Sequence, residues 1–102
     1  VWIYLNNAFL SIVAHREQPE NLLVRARVRG DIERVFPGCD VLETRTADYR
    51  FRSVIPRGEV ARRLAELALD ISYTNHKSSV RDPDRHDVYM DVWSATMLGF
   101  GR

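Results

Sequence analysis

Two short segments alternate arginine with apolar residues: Leu22-Leu23-Val24-Arg25-Ala26-Arg27-Val28-Arg29 and Tyr49-Arg50-Phe51-Arg52-Ser53-Val54-Ile55. Arginine offers a planar fork of donors suited to carboxylate or phosphate, so the chemistry in view is anion recognition. Period-two spacing lines the cations along one side of a strand. In the first run Leu22, Val24, Ala26 and Val28 are expected to face the core, and Leu23, Arg25, Arg27 and Arg29 to face water. In the second, Tyr49, Phe51 and Ile55 turn inward while Arg50 and Arg52 turn outward. If the two strands share a sheet, five guanidinium groups gather on one face, where directly opposed like charges are destabilising. Acidic neighbours, a covering helix or a ligand must balance them.

A second concentration of polar chemistry is Tyr73-Thr74-Asn75-His76-Lys77, followed by Arg81-Asp82-Pro83-Asp84-Arg85-His86-Asp87. Lys77, Arg85 and His86 near a helix start suit an anion. His86 with Asp82, Asp84 or Asp87 suits an acid–base pair or a metal site, and on a helix Asp82 and His86, four apart, face the same way. The spacing matches no established zinc motif, and Asp82 before Pro83 is better used as a helix cap. Cys39 follows Pro37-Gly38 in a turn with no histidine beside it in sequence, which favours an incidental thiol over a nucleophile. Ser11 lies in an apolar strand without the glycines of a nucleophile elbow. There is no phosphate-binding glycine loop.

The elements that must position these groups read as follows. Trp2 to Leu5 and Ala8 to His15 are β-prone runs joined at Asn6-Asn7, a tight hairpin if asparagine supplies positive φ. The second run is apolar on both sides, Phe9 and Val13 on one and Leu10 and Ile12 on the other, which places it inside the sheet or under a helix. After the first arginine strand, Gly30-Asp31 opens a short helix burying Ile32, Val35 and Phe36, with Asp31 as cap or first-turn acid. Asp40 to Thr44 is the next strand, and the second arginine strand follows a turn. Pro56 opens a helix to about Asp70 with the stripe Val60, Leu64, Leu67, Ala68 and Ile71, and Glu59 and Arg63 spaced as an ion pair. Tyr73 to Val80 is polar, with room for one helical turn. The last helix runs from Asp82-Pro83 to about Leu98, burying Val88, Tyr89, Val92, Trp93 and Met97, with the residues after it fraying. Apolar surplus around Trp93 suits a homodimer seam or a partner groove.

These elements predict an α+β fold: a mostly antiparallel sheet of about five strands, a ferredoxin-like core plus the amino-terminal hairpin, with helices on one face. The length of 102 residues predicts one domain over 1–102, and 45% apolar and 28% charged residues are ordinary for a globular chain. With 15 basic and 14 acidic residues the net charge is +1, so any basic site must arise from local segregation. Lys77 is the only lysine, and the arginine bias also fits a GC-rich genome. One cysteine excludes an internal disulfide and a multi-cysteine metal site, and a reducing, cytoplasmic setting is the simplest context. No apolar run approaches the length of a membrane span.

Across nearly its whole length the chain resembles a family of short uncharacterised bacterial proteins. The resemblance is carried by Trp2, Phe9-Leu10-Ser11-Ile12-Val13, Leu23-Val24-Arg25-Ala26-Arg27, Asp31-Ile32, Ala47-Asp48-Tyr49-Arg50, Ile71-Ser72-Tyr73-Thr74-Asn75-His76-Lys77 and Val88-Tyr89-Met90-Asp91-Val92-Trp93. Ser72 stands where the family pattern has Asp, and His76 where it has Phe; if that Phe fills a core pocket, the pocket is altered here. The resemblance implies no activity. The residues themselves point to a cofactor-free, non-enzymatic binding protein engaging an acidic protein or nucleic-acid surface, with no membrane role. Its binding residues are Arg25, Arg27, Arg50 and Arg52, with Lys77 and Arg85. Two alternatives stand beside it: a mobile-element or phage inhibitor of a host defence nuclease complex (anti-CRISPR-like), and a small enzyme using His86, Asp87 and Lys77.

Overall fold

Asn6 and Asn7 turn the chain between strands β1 (Trp2–Leu5) and β2 (Ala8–Ala14). The expected hairpin forms, but without a left-handed asparagine: every positive φ among the described residues belongs to a glycine. The computed structural model describes residues 1–101, which divide into two compact units, Val1–Ile71 and the segment from Ser72 onward. No helix among the described residues is long and apolar enough to cross a membrane.

The first unit continues with β3 (Asn21–Ala26), helix α1 (Asp31–Val35), β4 (Leu42–Glu43), β5 (Phe51–Pro56) and helix α2 (Arg57–Leu69). The five strands form one sheet in the order β1-β2-β3-β5-β4, with every neighbouring pair antiparallel. The α+β class read from the alternation is the class of the fold. Strand β2 lies inside the sheet, which accounts for its two apolar faces. Its Leu10 and Ile12 join Val24, Ala26, Phe51 and Ile55 on the core side. Ile32, Val35 and Phe36 from α1 and its end, with Val60 from α2, close that side, and Leu64 and Leu67 pack against it.

Two expectations for this unit are corrected, the extent of β3 and the partner of Arg63. Strand β3 stops at Ala26, so Val28 is exposed and Arg27 and Arg29 lie beyond the strand. Gly30, at φ 91°, makes the turn into α1 in a conformation that L side chains rarely adopt. With Gly30 as the N-cap, Asp31 stands in the first turn of α1, the second of its two expected places. It is fully buried, its carboxylate accepts the Phe9 N–H at 3.0 Å and pairs with Arg34, and Arg34 Nε donates to the Asn7 carbonyl at 2.9 Å. A buried carboxylate is kept only where donors surround it, so this acid ties α1 to the hairpin. Arg63 does not serve Glu59; its Nε donates to the Val35 carbonyl at 2.6 Å, satisfying an end group of α1, while Arg62 pairs with Glu66 at 2.7 Å.

The second unit holds α3 (His76–Ser79) and α4 (Pro83–Phe100). Asn75 accepts the Ser78 N–H at 3.1 Å, and Asp82 accepts the Arg85 N–H at 2.9 Å with Pro83 in the first turn, the predicted cap. The helix continues through Gly99 and Phe100, where fraying was expected. Of the expected buried set only Tyr89 is buried; Val88 and Trp93 are exposed. The one-turn helix α3 offers α4 too little surface to cover a full stripe.

Candidate functional site

The arginines converge on the end of the sheet where the segment after β3 meets the β4–β5 connection. Side chains directly opposite in a ladder share a face, and the register pairs Ser11 with Arg25, Arg25 with Arg52, and Arg52 with Leu42. Arg25 and Arg52 therefore stand on the face away from the core, as alternation predicts. Arg25 Nη2 donates to Ser11 Oγ at 2.8 Å, and Arg52 Nε donates to the Tyr49 carbonyl at 3.3 Å.

Tyr49 is the first departure. It is buried, at 5% exposure, yet it is not part of the hydrophobic core cluster. The Arg25 and Arg27 guanidinium carbons lie over its ring, 4.5 and 4.2 Å from the centroid. Tyr49 is thus buried on the arginine face, beneath cations, rather than in the core beside Phe51. Strand β5 begins only at Phe51, so the chain changes side between the two aromatics. That change carries Arg50 with it. Glu43 is paired with Phe51 across the ladder and shares its face; it binds Arg50 at 2.5 Å and Arg29 at 2.9 Å. Arg29 and Arg50 also lie 5.0 and 5.4 Å from the Phe51 ring centroid. The expected single face of five cations is therefore two clusters, Arg25, Arg27 and Arg52 with Tyr49 and Asp48, and Arg29 and Arg50 with Glu43.

The carboxylates set the electrostatics. Arg27 Nη1 donates to Asp48 Oδ1 at 2.8 Å and to the Asp48 carbonyl at 2.9 Å. This hydrogen bond and the Arg27 charge, with smaller contributions from Arg25 and Arg52, hold the Asp48 carboxyl below its ordinary range, while the same hydrogen bond and the Asp48 charge push the Arg27 guanidinium up. Hydrogen bonds from Arg29 and Arg50 lower Glu43 likewise. Arg45 stands 3.9 Å from Glu43. Six guanidinium groups thus surround two carboxylates, an excess of positive charge on a chain whose total is nearly balanced.

Lys77 and Arg85 belong to the second unit and are engaged there. Lys77 Nζ lies 4.8 Å from the Trp93 ring centroid, and Arg85 Nη1 donates to the Tyr89 hydroxyl at 3.4 Å. His86 Nδ1 is 3.9 Å from Asp87, while Asp82 spends its carboxylate on the helix cap. No group of three or more metal-ligating residues occurs among the described residues. His76 packs against aromatic rings, 5.7 Å from Tyr73 and 5.8 Å from Tyr89. Burial raises the Cys39 thiol above its ordinary value, which suits a quiet thiol better than a nucleophile.

Asp48 and the arginine-facing Tyr49 are the site residues that alternation misses, because polar and apolar types alternate without a break from Tyr49 to Phe51. Compared with protein-family models, with curated proteins and with solved structures, the chain has no match.

Proposed function

We propose that the chain is a non-enzymatic binding protein that engages a polyanionic macromolecule through the arginine-rich end of its sheet. The observation that carries this is the ratio of six guanidinium groups to two carboxylates in the two clusters at one end of the sheet, on a chain of net charge +1. Local excess charge of this kind concentrates and steers an anionic partner. Arg45 and Arg29 are the most open members of the group and make first contact, while Arg25 and Arg52, held by Ser11 and Tyr49, form the ordered floor. The cluster members Arg25, Arg27, Arg50 and Arg52 are the principal binding residues.

Heparin retention tests the reading. Replacing Arg27 and Arg45 with Gln should lower the salt needed for elution, whereas the same charge loss at Arg16 and Arg62 should leave it nearly unchanged. Equal shifts in the two variants would show that net charge alone acts and would sink the proposal.

A second reading concerns α4, where Leu98 and Phe100 are 81% and 89% exposed and Trp93 is also open. A helical stretch apolar on several sides favours burial against another surface, which supports a homodimer through the last helix. Sedimentation equilibrium should find a concentration-dependent dimer that Leu98→Glu disrupts; a monomer at all concentrations rejects it.

A further inference from the structure

The sheet register carries more than the arginines. Trp2 pairs with Ser11, Ser11 with Arg25, Arg25 with Arg52 and Arg52 with Leu42, so a single row crosses all five strands on the face away from the core. The row has an indole at one end and two guanidinium groups in its middle. Two residues along β1 and β2, and therefore on the same face, Tyr4 pairs with Phe9. Their rings stack with centroids 4.6 Å apart and planes 24° from parallel. Trp2 is 65% exposed. Both helices of this unit pack through the core on the opposite side. The face thus combines aromatic rings on β1 and β2 with cations on β3 and β5, one to three strand spacings apart, or roughly 5–14 Å at about 4.8 Å per spacing.

We propose that this face binds single-stranded nucleic acid, with bases laid on Trp2 and the Tyr4–Phe9 pair and phosphates held by Arg25, Arg27 and Arg52. The inference rests on reading the arginine cluster as an anion site and names its partner. An acidic protein would satisfy the guanidinium groups but has no comparable use for a row of flat rings beside them. Bases do, because every base presents a π-face and stacks on aromatic side chains whatever its identity. A duplex hides those faces, and its grooves are read by a helix or ribbon that enters them, which a flat sheet face does not. Charge is complementary: three guanidinium groups act on the single carboxylate of Asp48, and each commits one of its three nitrogens to the hydrogen bonds described. Arg25 Nε is buried, and the other remaining donors suit backbone phosphates.

Trp2 reports on its own occupancy once Trp93→Phe leaves it the only tryptophan. In that variant a single-stranded oligouridine of about a dozen nucleotides should quench the emission saturably. It should bind at least about tenfold more tightly than polyglutamate or a duplex of equal length, since stacking adds to the charge interaction. Followed by anisotropy of labelled oligouridine, Trp2→Ala should weaken binding about tenfold and Trp2→Phe should largely restore it. Trp2 is open and lies at the start of an edge strand, so these changes leave the core intact. Polyglutamate binding as tightly as the oligonucleotide, a preference for duplex, or no effect of Trp2→Ala overturns the proposal. If heparin retention still depends on Arg27 and Arg45 in that event, the anion site stands and only the single-strand assignment falls; loss of both removes the two together.

Discussion

Arg25 and Arg52 stand directly opposite each other across the β3–β5 ladder, and both charges act on the carboxylate of Asp48. Two like charges opposed in a sheet are destabilising unless something intervenes. Here Arg25 turns onto the Tyr49 ring and Ser11, Arg52 donates to the Tyr49 carbonyl, and Asp48 supplies the counter-charge through Arg27. Tyr49 is therefore the packing centre of the arginine face, and charge reversal at Arg25 or Arg27 should disturb the fold as well as the proposed binding.

Tyr49→Ala should cost about 3 kcal/mol of stability, because it removes a buried ring and the surface on which two guanidinium groups rest. Tyr49→Phe keeps that surface and should stay within about 1 kcal/mol of the parent. Urea denaturation checks both. A Tyr49→Ala change as mild as an ordinary surface substitution would mean that the arginines do not depend on the ring.

Glu43 and Asp48 predict an acid-labile contribution. Both carboxyls titrate lower in the folded chain than their ordinary values of about 4, so the folded state prefers them ionised. The stabilisation is complete above about pH 5 and is lost as pH falls through the ordinary values towards the depressed ones. The stability gap between the parent and a Glu43→Gln, Asp48→Asn double variant should be widest near neutrality and close in acid. A gap that does not change with pH would contradict the assignment.

His76 occupies a site between Tyr73 and Tyr89, and its Nε2 is buried without a hydrogen-bond partner among the described residues. An unsatisfied buried nitrogen costs about 1–3 kcal/mol. His76→Phe should therefore raise the thermal midpoint of the helical signal of the second unit, followed by far-UV circular dichroism. A lowered midpoint would show that the imidazole makes a contribution a phenyl ring cannot replace.

Period-two alternation in β3 and β5, with the Asn6-Asn7 turn between β1 and β2, marked the strands of the sheet, and Pro56, Asp82 and Pro83 marked where helices begin, because these are local preferences of backbone and side chain. The core residues Leu10, Ile12, Val24, Ala26, Phe51 and Ile55 were legible for the same reason. The arginine site was legible in its residue types but not in its arrangement. Only the tertiary structure decided that Tyr49 turns to the arginine face, that Arg50 leaves it for Glu43, and that Asp48 closes the cluster. It alone set Trp2, Tyr4 and Phe9 on the same face as Arg25 and Arg52, because sheet register is a property of paired strands. The burial of α4 was misjudged for a related reason: an apolar stripe states what a helix can bury, and the surface available to receive it is set by the rest of the fold.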